Sequence, residues 1–481
     1  MKFRILRIVP AKQKIAELRN RTTKSGRRSF NFVASLFACL LISVVFDFST
    51  KKLSGNSGPA LDYLASGKGS LFAFAAVLPS LFFAFVLKPT LSSKLGQSLH
   101  GVFGFIAIYV SYYAQDAVRQ DIAKFFRFNA INPHLADWIF IPAYIACPDD
   151  SGCDPLGRSP AYGVGWKLLF LLSNLNFSIF LLAVTTGFVC AQIYKYAAVH
   201  GHALLGSAII VSPSFLFAVE RGNSDLFVVG LILVALSLSM KSKVFNLAFS
   251  IFMVTLKPFF AGIYMSRRHK LKGILLILPI FATALLASYK FDFLRIQESR
   301  KATLFSPYSV FGVDQIPALF IQQDTVASVR WSPSYDLFRL SFLSGVISFI
   351  FLLAILVYCQ YPGITIRSLG QNVEEKADRL TVVFSAVYLL TYLSGSQVWY
   401  KTWFAFPILF LIIKKYNQSP EDGSLWKAIP DMLMILSIFG ISIWSLRSLG
   451  TLFLALYCAQ IVIQDLSLAN IGHSTQVKLE N

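Results

Sequence analysis

Long apolar runs broken by short polar knots set the rhythm of this chain. Crossing the hydrocarbon core takes about 20 apolar residues per helix. By that measure the pattern predicts spans at 31–48, 71–87, 101–114, 167–191, 203–219, 226–240 and 271–289. Others follow at 337–360, 379–394, 403–415, 428–446 and 449–465. The expected fold is therefore all-α, a polytopic integral membrane protein of about 12 transmembrane helices. Several runs fall short of a full span, which points to tilted or partly shielded helices around a cavity.

One stretch resists simple alternation. Lys241 and Lys243 at one end, and Arg267, Arg268 and Lys270 at the other, all prefer the cytoplasm. The run between them must go in and come back. Lys257-Pro258 lies inside it, and proline both removes a helical hydrogen bond and clashes with the preceding turn. Residues 244–265 are thus expected to form a broken pair of half-helices with Lys257 near the apex. The plainer alternative is one tilted, kinked helix that leaves one basic cluster outside.

Composition agrees with this class: 55% of the 481 residues are hydrophobic and only 14% are charged, with a mean hydropathy of +0.61. The net charge of +20 would suit nucleic acid, but the basic residues flank apolar spans, where orientation is the commoner cause. We expect no nucleic-acid partner. Residues 1–30 form a basic arm, expected in the cytoplasm against anionic lipid, and 466–481 a cytoplasmic tail. Between them, 31–465 is the membrane domain, with large outer loops at 115–165 and 290–336. Segments 220–225 and 395–402 also fall outside. The first apolar run reads as an anchor, since no small-residue cleavage pattern follows it.

Candidate chemistry concentrates on the outer side. The turn Glu220-Arg221-Gly222-Asn223-Ser224-Asp225 is too polar for lipid and too short for a domain. Its functional reading presents Glu220, Arg221, Asn223 and Asp225 to a ligand. Its structural reading has Ser224 or Asp225 capping the next helix, Gly222 or Asn223 supplying a left-handed turn, and Glu220 pairing with Arg221. A lysine in an apolar run costs about 2.5–3.5 kcal/mol unless it faces protein or water. Lys257 is therefore either a fixed cation for a phosphate or a snorkelling side chain.

The outer segment 147–166, CPDDSGCDPLGRSPAYGVGW, combines turn chemistry with Asp154, Arg158, Tyr162 and Trp166. Tyr162 and Trp166 also suit an interfacial aromatic belt. Cys147 and Cys153 are candidates for a disulfide if this loop faces an oxidising compartment, a pairing that spacing alone does not establish. Asp116, Asp121 and Asp137 precede the segment on the same side and are candidate general bases. Later, Ser394-Gly395-Ser396-Gln397 breaks the pattern before Trp399-Tyr400-Lys401. No metal set stands out among the six histidines, and His200 and His202 are expected to be solvated in an inner loop. No nucleotide or dinucleotide fingerprint points to a cofactor, which stays unknown.

Together these pieces resemble the GT-C superfamily of membrane glycosyltransferases, closest to the glycosyltransferase family 87 type. In that group an ERGN-like turn precedes an apolar helix, a basic inner turn and a half-helix reaching Lys-Pro. Here those features are Glu220 to Asp225, Leu226 to Met240, Lys241 to Lys243 and Lys257-Pro258. Asp154 to Trp166 is similar to the family's DPxGRPxNYPxxW pattern, and Trp399 to Pro407 to its late Tyr-Arg helix start. The resemblance runs from about Asp137 to Ile412. Gly163 stands where the family often has proline, and Lys401 where it often has arginine. Lysine keeps the charge but loses the bidentate fork.

What the resemblance implies is a GT-C-like fold and an enzyme that moves a hexose or pentose from a polyprenyl phosphate. The acceptor would be a lipid-linked or cell-envelope glycan on the outer face of a bacterial inner membrane. It also implies an acid in the outer loop, for which Asp137 is the first choice and Asp116 the second. Lys257, helped by Lys401 or Arg158, would hold phosphate, with Tyr400 beside them. Glu220 and Asn223 would position the sugar. The rival expectations are a transporter or flippase of lipid-linked glycans, and a GT-C-like scaffold without chemistry.

Overall fold

A computed structural model describes residues 93–113, 135–147, 163–238, 242–266, 271–288, 310–311, 378–394, 397–418, 425–439 and 444–479, with isolated helical positions at 346 and 350. The basic arm, the spans at 31–48 and 71–87, and nearly all of 290–336 and 337–360 lie outside the described residues. So do Asp116, Asp154, Arg158 and Tyr162, while only the backbone of Glu220 and Tyr400 is described.

Within these bounds the chain is all-α apart from one two-residue antiparallel pairing, β1 (Val310–Phe311) with β2 (Gln397–Val398). The helices are α1 (Ser93–Tyr113), α2 (Ala136–Ala146), α3 (Leu175–Val199), α4 (Ala203–Ile210), α5 (Pro213–Glu220) and α6 (Ser224–Ser237). They continue with α7 (Lys243–Leu256), α8 (Leu271–Ser288), α9 (Arg379–Leu393), α10 (Phe406–Gln418), α11 (Leu425–Phe439) and α12 (Trp444–Leu479). Two of these are long and apolar enough to cross a membrane, α3 and the Leu449–Leu466 stretch of α12.

Boundaries follow local chemistry. Asn174 caps α3 by accepting from the Phe177 amide at 3.0 Å, and Asp378 caps α9 by accepting from Thr381 at 2.7 Å. The span expected at 167–191 begins instead as 3₁₀ turns, Val164–Leu168 and Phe170–Ser173, because α3 starts only at its Asn174 cap. The span at 203–219 is split into α4 and α5, since Pro213 provides no amide to carry the first helix onward.

The predicted hairpin is present. α7 ends at Lys257, whose extended backbone (φ −155°, ψ 131°) is what a residue before proline prefers. A 3₁₀ segment, Pro258–Ser266, then returns alongside it. Asn246 donates to the Tyr264 carbonyl at 3.2 Å and accepts from the Ser266 hydroxyl at 3.0 Å, so the two ends meet and Lys257 sits at the tip.

Polar ties gather the opposite end of the helices. Tyr196 on α3 donates to Asp378 at 2.8 Å, and His200 lies 3.5 Å from the same carboxylate. Arg379 pairs with Asp465 on α12 at 3.1 Å and reaches the Met265 carbonyl at the hairpin's base at 3.4 Å. Of the two histidines expected to be solvated, His200 is exposed while stacking on Phe410 at 5.6 Å, whereas His202 is buried against the same ring. Asp378, outside the spans, feels burial that favours its neutral form. Hydrogen bonds from His200, Thr381 and Tyr196 outweigh it and hold the carboxyl below the usual range.

Candidate functional site

At the other end, four separate stretches converge on one cluster of charges. Two of them are stapled by backbone. The Asp137 amide donates to the Arg221 carbonyl at 3.0 Å, and Gly222 turns with φ +56° while pressed against Leu135. A Cβ at Gly222 would lie 2.8 Å from the Leu135 side chain, so only glycine fits there. Leu135 itself holds φ +52°, a conformation that costs a non-glycine residue about 1–2 kcal/mol. That strain aims α2 so that Asp137, in its first turn, faces the polar turn.

Asn223 ties the Asp137 carboxylate to the first turn of α6. Its side-chain oxygen accepts from the Asp225 amide at 2.8 Å, capping α6. Its amide nitrogen donates to Asp137 Oδ2 at 3.0 Å. The cap is thus Asn223 rather than Ser224 or Asp225, because a residue must stand just outside the helix for its side chain to reach back. Arg221 donates to Asp137 Oδ1 at 2.6 Å, so its partner is a carboxylate 84 positions away in sequence.

Asp225 is the hub of the other half. Its Oδ1 accepts a short hydrogen bond from Lys257 Nζ, and its Oδ2 lies 3.5 Å from Lys401 Nζ. Both ammonium groups also stand over the Phe259 ring, at 5.9 Å and 4.5 Å from its centre. The Asp225 side chain is 1% exposed and Lys401 9%, whereas Lys257, Arg221 and Asp137 keep 15–17%. The cluster is open on one flank and sealed on the other. Lys257 therefore does not snorkel toward water: it is held against a buried carboxylate.

The described charged side chains are two carboxylates and three cations, an excess of one positive charge. In an eleven-residue helix too short to span a bilayer, Asp137 feels burial that opposes its charge. Arg221 and Asn223 overcome it and hold the carboxyl below its ordinary range. Lys401 lies in the 3₁₀ segment Trp399–Ala405, ahead of α10. Burial pulls it down to about 8, against the opposing pull of Asp225.

An aromatic wall supports the cluster. Trp138, Trp166 and Phe227 meet with ring centres 5.5–6.3 Å apart. Trp166 is fully buried and donates to the Leu256 carbonyl at 3.2 Å, one residue before Lys257. It is a brace for the hairpin tip and not the interfacial aromatic that its sequence position allowed. At Gly163 a Cβ would lie 2.3 Å from the Thr255 carbonyl, so no larger residue has room beside the hairpin. Cys147 is disulfide-bonded, and its partner lies outside the described residues.

Of the residues singled out from the sequence, Asp137, Arg221, Asn223, Asp225, Lys257 and Lys401 meet here. The pairing of β1 with β2 also sets Val310 beside Val398, three residues before Lys401. Phe259 and Trp138 were missed. Both sit beside residues already chosen, and in a chain with 45 phenylalanines nothing marks one of them. No family model, no curated protein and no solved structure matches this chain.

Proposed function

We propose that this chain is a polytopic membrane glycosyltransferase that takes a sugar from a polyprenyl phosphate and passes it to a glycan or glycolipid hydroxyl on the outer face. The observation that carries this reading is the Asp225 carboxylate shared by two ammonium groups, beside the ionised Asp137. Such a cluster offers cations to a phosphate leaving group and a carboxylate to an acceptor hydroxyl.

A lipid-borne substrate is favoured by the rim. Leu168, Phe170 and Leu171 are 62–68% exposed, two to five residues beyond the Trp166 brace. Exposed stripes on α1 (Leu95, Leu99, Val102, Ile106) and on α3 (Phe177, Phe180, Val184) suit contact with acyl chains. One polar cluster lies at the base of the hairpin, where Arg379 reaches the Met265 carbonyl, and the other at its tip, where Lys257 meets Asp225. Every member of the first belongs to a segment read as inner from the basic flanks, and the second gathers the outer segments around the hairpin tip. That agreement supports the alternating topology, with both termini in the cytoplasm.

In this reading Asp137 receives the acceptor's proton as the new carbon–oxygen bond forms at the anomeric carbon. The bond from that carbon to the phosphate oxygen breaks, and Lys257 and Lys401 take up the charge left on polyprenyl phosphate. Arg221 keeps Asp137 ionised at the expense of basicity, and Asn223 fixes its direction. Glu220, Arg158, Asp154, Tyr162 and Tyr400 stay as substrate-binding candidates, and Asp116 as the alternative base.

The broken hairpin also suits a transporter of lipid-linked glycans. Purified protein in liposomes separates the two, using a labelled polyprenyl-phosphate sugar. The enzyme releases polyprenyl phosphate and lengthens an acceptor by one sugar, and Lys257→Ala and Asp137→Asn each lower the rate by about a hundredfold or more. Movement of the labelled lipid without change of mass would select the transporter. Unchanged transfer in both variants would overturn the assignment of the site.

A further inference from the structure

We propose that Asp225 is a placeholder anion, which occupies the two ammonium groups before substrate binds and yields them to the substrate's phosphate. This rests on the phosphate-binding reading above and adds a positioning residue to it. Three observations carry it. Asp225 is buried and makes no surface contact of its own. Its two oxygens are divided between Lys257 and Lys401. Both lysines converge on the one Phe259 ring, so without a shared anion two ammonium groups would stand side by side in a poorly solvated place. Like charges so placed repel one another. Asp225 thus offsets that repulsion until an anion with more charge and more oxygens arrives.

The exchange has a mechanical basis. Asp225 is in the first turn of α6, with its backbone amide held by the Asn223 cap, so the carboxylate is anchored while it changes partners. The lysine ammonium groups ride on flexible four-carbon stems, so they can turn while the Lys257 backbone stays bonded to Met253 and Phe260. Lys257 also keeps 17% of its side chain accessible, on the flank from which a phosphate can approach. The movement required is that of ammonium groups turning away from one carboxylate toward a neighbouring phosphate. When the product leaves, Asp225 takes them back.

The test uses farnesyl phosphate, with farnesol as the uncharged control, on full-length protein in detergent at pH 6.5. Asp225→Asn keeps the shape and removes the competing charge. Affinity for farnesyl phosphate should rise about tenfold or more, with a steeper loss in salt, while kcat of sugar transfer falls because product leaves slowly. A purely structural role for Asp225 would instead weaken affinity, and a weaker or unchanged value overturns the proposal.

Should Asp225→Asn fail to fold, infrared difference spectra of the wild-type protein decide. Farnesyl phosphate, and not farnesol, should shift a carboxylate stretch, and absence of that shift overturns the inference. If wild-type protein does not distinguish farnesyl phosphate from farnesol, the phosphate-binding reading falls with it. If it does, and Asp225→Asn brings no gain, only the placeholder falls.

Discussion

Replacing Lys257 by methionine tests whether the buried charges act as one unit. The substitution leaves the Asp225 carboxylate, 1% exposed, with only Lys401 at 3.5 Å. Removing one partner of a buried pair typically costs ~3–5 kcal/mol. The remaining ammonium recovers part of that, so we expect a loss of about 2 kcal/mol. Asp225→Asn alone should cost a similar amount, since it strands two cations. The double variant strands one cation, Lys401, instead of two, and its loss should fall short of the sum by at least ~1 kcal/mol. Denaturant unfolding in micelles, followed by tryptophan fluorescence, reads all three, because Trp138 and Trp166 lie against the cluster. Farnesyl phosphate binding should be lost in Lys257→Met and in the double variant alike, which separates stability from function. Additivity within ~0.5 kcal/mol would refute the shared-carboxylate reasoning.

Two further outcomes follow from the same geometry. Gly163→Ala drives a methyl group into the Thr255 carbonyl, 2.3 Å away, and Ser288 at 3.2 Å leaves no room to shift. It should destabilise by about 1–3 kcal/mol and weaken phosphate binding by displacing Lys257; wild-type affinity in this variant would contradict the bracing of the hairpin tip. Because Lys401 is lowered to about 8, phosphate affinity should fall as pH rises through that value. Folded stability should move oppositely, rising between about pH 8 and the unfolded lysine value near 10.4, where the unfolded chain binds more protons. Lys401→Arg should flatten both profiles, and a flat wild-type affinity between pH 7 and 9 would exclude a charged Lys401 from the phosphate site.

Wherever one local rule dominated, the sequence was sufficient. The alternation of apolar runs and basic flanks determined an all-α chain, and the Lys-Pro step between two basic clusters determined a hairpin with a lysine at its tip. Those features depend on transfer energies and on proline's missing amide, which act over a few residues. The places where such rules conflict, at Asn174 and Pro213, are where helix boundaries moved.

Tertiary structure alone decided who pairs with whom. Arg221 binds Asp137, 84 positions away in sequence, because Leu135 and Gly222 press their two segments together. Asp225 could have been a simple helix cap, but a hairpin tip and a distant 3₁₀ segment deliver two ammonium groups to it. Charges attract at any separation along the chain, so no spacing rule names their partners. The choice belongs to the packing that sets which of them are buried together.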